Sequence, residues 1–404
     1  MAEVDGIKPI YADNAATTAL SEYALSKMLP YFTEQYGNPS SIHTFGIAAK
    51  NAVENARRTV AQAIGARVNE IYFTSGGTEA DNWALFAACR LKKKQGKHIV
   101  TTQIEHSAVY RTALELEKQG YEITFLIPDT YGLITPEQIA DAVRPDTILV
   151  SVMLASNEVG TVLPIADMAA AAKRYGALFH TDAVQAVGHI PVDVRGLGVD
   201  MLSLSAHKFH GPKGAGALYA SIRVPLAPMI FGGGQEKGRR SGTANVTGAV
   251  GMAAALEESV NNLERDASHL TFMRDHLIAK LLTLPGVSLT GHPTQRLPGH
   301  ASFFVSGVEG EPLVRALSDL GICVSSGSAC SAGSGEPSRV LVAMGYETLR
   351  RESKERAAPV RISLSRYNTL EEMDRIVSLF PQAIEIAREK TAALFSFDDT
   401  VFDE

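Results

Sequence analysis

The sequence is short of cysteine, of clustered basic charge and of long apolar runs, and each shortage removes a class of protein. Three cysteines in 404 residues, none in a C-x-x-C pair, cannot build a disulfide framework and argue against a structural zinc site. They suit a reducing compartment. No Lys/Arg cluster exceeds Lys92-Lys93-Lys94 and the net charge is −6, so nucleic acid and membrane surfaces are not expected partners. No apolar stretch reaches the ~18 residues that a spanning helix needs. The N-terminus, MAEVDGIKPIYADN, carries two acids before residue 6 and no apolar core, unlike a signal peptide. A cytoplasmic protein is expected. Against these shortages, 45% of residues are apolar and only 20% charged, enough for a substantial core. At roughly 100–200 residues per domain, the length suggests two domains.

The pattern alternates between strand-like and helix-like segments. Apolar runs at 71–74, 98–102, 123–127, 147–153, 177–181, 201–205 and 216–220 read as strands. Helical spacing at 45–65, 108–119, 135–143 and 165–175 separates many of them. Strand, helix, strand over this length predicts an α/β fold with a mostly parallel sheet covered on both faces. The segment 245–284 reads as a connector helix or helix pair. Beyond it, strands at 301–305, 323–325 and 360–365 with helices at 311–320 and 369–390 suggest a smaller α+β domain.

Several strand ends carry polar chemistry. Ser75-Gly76-Gly77-Thr78 joins a strand to a helix, and free N–H groups at such a start can hold a phosphate, although glycine turns before helices are common. Lys208, in SAHKFHGPKG, follows the strand MLSLS; desolvation there would lower its pKa, as a Schiff-base lysine requires, while pairing with a nearby acid is the plainer reading. Asp182 closes the strand before AVQ, where an acid could hold a pyridinium nitrogen or simply cap a helix. Glu105-His106 and Asn157-Glu158 end two more strands. In a parallel sheet such ends face one crevice, and this convergence carries more weight than any single residue.

Cys330 sits in a Gly/Ser loop, SSGSACSAGSG, whereas Cys89 and Cys323 have apolar neighbours. It reads as a candidate nucleophile or as a tolerated surface thiol. Arg361 and Arg366 flank the strand RISLS, and either could clamp a carboxylate or pair with surface acids. Trp83, Phe86, Phe303 and Phe304 read as core. His292 and His300 have no third ligand at metal spacing, and no metal site is expected.

Taken together, these motifs resemble the cysteine desulfurases of the IscS/NifS kind, group I, within the class-V, fold-type I pyridoxal-phosphate enzymes. The likeness runs from YADNAATT and YGNPSSIH through FTSGGTEADN, EHSAV, SNEVG, HTDAVQAVG, SAHKFHGPKG, RRSGT, SSGSAC and EPSRVL to VRISLSRYNT, in the family's order. It implies a large cofactor-binding domain over 16–260 with a seven-stranded sheet. A small domain over 261–404 would carry the cysteine loop, with residues 1–15 packed against it. The cofactor would be pyridoxal 5′-phosphate and the substrate L-cysteine. Lys208 would hold the cofactor covalently and take the substrate's Cα proton. Asp182 would pair with the ring nitrogen, Gln185 with the ring hydroxyl, His106 would stack on the ring, and Asn157 would help orient it.

Gly77, Thr78, Ser205 and His207 would hold the phosphate, joined by Thr243 from a partner subunit, which implies a homodimer. Asn38 and Arg361 would bind the substrate carboxylate. Cys330 would take the sulfur as a persulfide, leaving alanine, for an iron–sulfur scaffold or another thiolation acceptor. The family's usual SGATES reads SGGTEA here, NNE reads SNE, and the C-terminal SFDDTVFDE does not match the family's scaffold-docking segment. A selenocysteine lyase or another class-V aminotransferase remains the alternative. A dinucleotide oxidoreductase is disfavoured, since no strand–helix junction shows G-x-G-x-x-G with a following ribose-binding acid.

Overall fold

A computed structural model describes residues 8–327, 338–346 and 357–396 of the chain. After a short strand β1 (Ile10–Tyr11) come seven strands: β2 (Ile71–Thr74), β3 (His98–Thr102), β4 (Glu122–Leu126), β5 (Thr147–Ser151), β6 (Leu178–Asp182), β7 (Met201–Ser205) and β8 (Gly216–Ala220). They form one sheet in the order β2-β8-β7-β6-β5-β3-β4, parallel except that β8 runs against both neighbours. The expected seven-stranded, mostly parallel sheet is therefore present.

Period-two alternation explains how one sheet serves two cores. Ile99, Leu149, Leu178, Met201 and Leu218 join the cluster under helix Gly77–Leu91. Their successors Val100, Val150, Phe179 and Leu202, and Ala217 beside Leu218, pack on the opposite face with helix Ile165–Ala172. Both faces are buried, which is why these strands read as nearly continuous apolar runs. The strand order reverses direction between β3 and β5, and the carboxyl ends there open a crevice.

The connector resolves into two helices, Val246–Asn261 and Leu263–Leu281, broken at Asn262, where the backbone turns to φ −107° and ψ 7°. The three-stranded sheet β12-β10-β9, from β9 (Val287–Thr290), β10 (His300–Ser306) and β12 (Ala357–Ser363), is antiparallel. With helices Gly310–Asp319 and Leu370–Ser396 it builds a second core around Phe303, Leu317, Ile362 and Phe380. Ile10 and Ala12 join that core, and β1 pairs in parallel with β11 (Ile322–Cys323). Strands β1 and β9 are not among the expected strands: β1 has two residues, and in VSLT the serine and threonine leave no continuous apolar run.

Phe303 is fully buried at the centre of β10, opposite Val360 and Leu289. Phe303→Ala is expected to cost about 3–5 kcal/mol of stability, read from denaturant midpoints; a loss below about 1 kcal/mol would contradict this core assignment.

Candidate active site

The carboxyl ends of β3, β5, β6 and β7 surround a cavity of about 270 Å³. Gly77, Thr78, His106, Asn157, Asp182, Gln185, Ser205, His207, Lys208 and Arg361 all line it. Ten residues singled out from separate motifs thus meet in one place, including the four strand ends whose convergence the sequence suggested.

One end of the cavity is built for close backbone approach. Gly76 caps helix Gly77–Leu91 at φ 155°, and a Cβ on Gly77 would lie 2.6 Å from Val184 Cγ2. The helix cap is thus Gly76. Ser205 is buried beside this turn, and His207 is pushed down to about 4 by burial and the Lys208 and Lys213 charges, so its ring is neutral. The turn is braced from outside: Glu79 accepts the Ser75 N–H at 2.8 Å and a two-pronged ion pair from Arg240 at 2.9 and 3.0 Å. Unpaired helix N–H groups and neutral donors suit a phosphate.

The opposite corner is acidic and buried. Asp182 is buried and accepts the Val184 N–H at 2.9 Å in a local turn; no helix starts here, so it is not the helix cap that was its plainer reading. Burial pushes its carboxyl above the ordinary range, against the pull of His106 and Lys208. Burial likewise pushes Glu105 up to about 8. Asp81 Oδ1 and Glu105 Oε2 are buried without a hydrogen-bond partner among the described residues. One ligand atom each from Asp81, His106 and Asp182 lie within 4.8 Å of one another. Such a corner favours a cation, and a protonated ring nitrogen fits it.

Between these ends, Lys208 Nζ donates to the carbonyls of Ala15 and Ala16 at 2.6 and 2.9 Å. Gln185 Nε2 donates to the Ala15 carbonyl at 2.9 Å. His106 caps helix Ser107–Lys118 through its Nδ1, which accepts the Ala108 N–H at 3.2 Å. Ser156, where the family usually has Asn, caps the Asn157 turn by accepting the Glu158 and Val159 N–H groups.

Arg361 is 2% exposed, with Nη2 on Asp13 at 2.7 Å and Nη1 on the Asn157 and Gly327 carbonyls. Its Nε is buried without a partner among the described residues. A substrate carboxylate there would compete with Asp13. Arg366 takes the other course open to it and pairs with Asp266 and Glu258, away from this cavity.

Residues 10–376 match the family model for aminotransferase class-V. The chain belongs to the class-V aminotransferase family. A relative named Cysteine desulfurase IscS, from Methanosarcina thermophila, is 46% identical over 383 residues, spanning 94% of this chain and 93% of its own length. A solved NifS-like protein superposes with a TM-score of 0.85 at 39% identity, covering 94% of this chain and all but 1% of its own, since 99% is matched. SspA in complex with cysteine superposes with a TM-score of 0.77 at 35% identity, over 89% of this chain and 99% of its own. The class-V cofactor is pyridoxal 5′-phosphate, and the two ends of the cavity match its phosphate and its ring nitrogen.

Two expected residues lie elsewhere in a single class-V chain. Asn38 is exposed, and its side chain accepts the Ser40 N–H at 2.9 Å. Thr243 is exposed between Gly242 and Ala244, which line a second cavity of about 250 Å³. Cys330 lies outside the described residues. Cys89 is buried and its thiol pushed up to about 11, and Cys323 is half-buried and also raised by burial, so neither is activated. Asp81, Asp13 and Arg339 were not singled out from sequence. Arg339 lines the cavity, lies 3.8 Å from the Tyr110 ring centroid and donates to the Glu105 carbonyl. Its only sequence signal is its place in EPSRVL.

Lys208→Ala, supplied with pyridoxal phosphate, is expected to fold but to lack the wild type's yellow absorption. An unchanged visible spectrum would remove Lys208 from the covalent role.

Proposed function

We propose that the protein is a pyridoxal-phosphate-dependent cysteine desulfurase that converts L-cysteine to L-alanine and receives the sulfur on Cys330 as a persulfide. The convergence of Lys208, Asp182, His106 and Arg361 on one cavity, in a class-V chain with desulfurase relatives, supports this reading most directly. The bound cofactor supplies electron withdrawal from the substrate carbon, which weakens the Cβ–S bond.

The chain's own groups do the rest. Lys208 Nζ holds the cofactor and moves the proton at the substrate Cα. Asp182 holds the ring nitrogen, Gln185 the ring hydroxyl, and His106 and Asn157 the ring's orientation. Gly77, Thr78, Ser205 and His207 hold the phosphate. Arg361, with Asn38, binds the substrate carboxylate. The Cys330 thiolate attacks the substrate sulfur: the Cβ–S bond breaks, an S–S bond forms, and protons from the two thiols end on the alanine methyl and the persulfide.

The same reading makes the protein a homodimer in which Thr243 of the partner subunit completes each phosphate site. It divides the chain into a large domain over 16–260 and a small domain over 261–404, with residues 1–15 packed on the latter. A sulfur acceptor, either an iron–sulfur scaffold or another thiolation carrier, follows from the persulfide chemistry. The cytoplasm is the proposed location, supported by the cysteine usage and by the finding that, among the described residues, no helix is long and apolar enough to cross a membrane.

With L-cysteine and a reductant, wild type is expected to release alanine and sulfide in equal amounts, and Cys330→Ala to lose both by on the order of 100-fold or more. Undiminished products in the variant would demote Cys330 and favour a lyase acting without an enzyme persulfide. By light scattering the protein is expected to be a dimer; a stable, active monomer would overturn the shared phosphate site.

A further inference from the structure

The cavity holds a buried acid that none of these roles uses. Asp81 lies one turn into helix Gly77–Leu91 and is 1% exposed. Its carboxyl lines the cavity beside Asp182, within the 4.8 Å cluster that includes His106. Its Oδ1 is buried and has no hydrogen-bond partner among the described residues. Behind it runs a polar chain through three strands: the Ser203 hydroxyl interacts with Asp81 and lies 3.0 Å from His180 Nε2, and His180 Nδ1 lies 2.8 Å from the Ser151 hydroxyl. Burial pushes His180 down to about 3, so its ring is neutral and gives Asp81 no counter-charge across the 3.6 Å between them.

Two carboxyl groups this close in a desolvated corner do not both ionise. The groups facing each acid decide which one does. Asp182 faces His106 and Lys208 and accepts the Val184 N–H, and all three favour its anion. Asp81 has the Ser203 hydroxyl on its favourable side, while Asp182 and Glu105 both oppose its ionisation. Arg339, which also lines the cavity, donates Nη2 to the Glu105 carbonyl and interacts with the charges of Glu158 and Glu105 and with Tyr110; its Nη1 is buried without a hydrogen-bond partner among the described residues.

We propose that Asp81 is the neutral, proton-holding member of the pair, and that it thereby leaves a single negative charge on Asp182 to face the cofactor's ring nitrogen. Asp81 is a positioning residue: it acts through Asp182 and not on the substrate. This rests on the cofactor reading given above and sharpens it, because an ionised Asp81 would set a second, competing anion beside the first.

Infrared difference spectroscopy of the cofactor-free protein tests the protonation directly. Wild type minus Asp81→Asn at neutral pH is expected to contain a carboxylic-acid carbonyl band; carboxylate bands in its place overturn the proposal. Pyridoxal phosphate titration of cofactor-free wild type, Asp81→Asn and Asp81→Leu tests the consequence. Asn, uncharged and close in shape to the protonated acid, is expected to bind within about threefold of wild type and to keep the pH midpoint of the visible band. Leu, which removes the polar partner of the Ser203 hydroxyl on this side and leaves it only His180, is expected to bind on the order of tenfold more weakly. A midpoint moved by about one unit in Asp81→Asn, or equal binding by all three proteins, overturns the proposal. Wild type that fails to bind pyridoxal phosphate would instead overturn the cofactor reading, and the infrared result would still decide the state of Asp81.

Discussion

A carboxylate taken out of water at the carboxyl edge of the sheet is the constraint on which the rest of the site depends. Asp182 ends the central strand β6, fully inside the protein, where an ion survives only with compensation. The compensation comes from three neighbouring segments: the turn after β6 supplies the Val184 N–H, and the segments after β3 and β7 supply His106 and Lys208. In the proposed function a protonated ring nitrogen completes the balance, which would make the acid that is costly in the chain alone the specific contact for a pyridine.

The architecture makes this corner possible because the sheet is buried on both faces. Alternating side chains on β3, β5, β6 and β7 send one core to each side, leaving the strand ends as the place where polar groups can collect. From the second core's antiparallel sheet, Arg361 reaches the cavity. Arg361 on β12 reaches Asp13, Asn157 and Gly327 and ties the N-terminal segment, the large sheet and the antiparallel sheet together at the cavity. That guanidinium is both a structural knot and the proposed carboxylate grip.

Much of this was legible in the chain. The positions of β2, β3, β7 and β8 follow from apolar runs bounded by polar or glycine residues, and boundaries elsewhere differ by one to three residues, as at the polar end of β6, Asp182, and at the start of β12. Lys208, His106, Asn157 and Gln185 were visible because each lies in the polar segment that follows a strand, three to six residues beyond its end. Asp13, Asp81 and Arg339 were not, since nothing in one sequence distinguishes an acid one turn into a helix, or an arginine at a helix start, from a solvated surface charge. Asn38 and Thr243 were legible only through family resemblance, and a single chain leaves both exposed.

What the sequence alone determined was the alternating α/β order, the polar strand ends and the thiol in a glycine-rich setting, because periodicity and residue type are local properties. What only the tertiary structure decided was which charges meet and which of them remain charged. The state of Asp81 depends on Asp182, Glu105, Ser203 and His180, four residues from three other segments of the chain, and desolvation is set by packing that no local pattern contains.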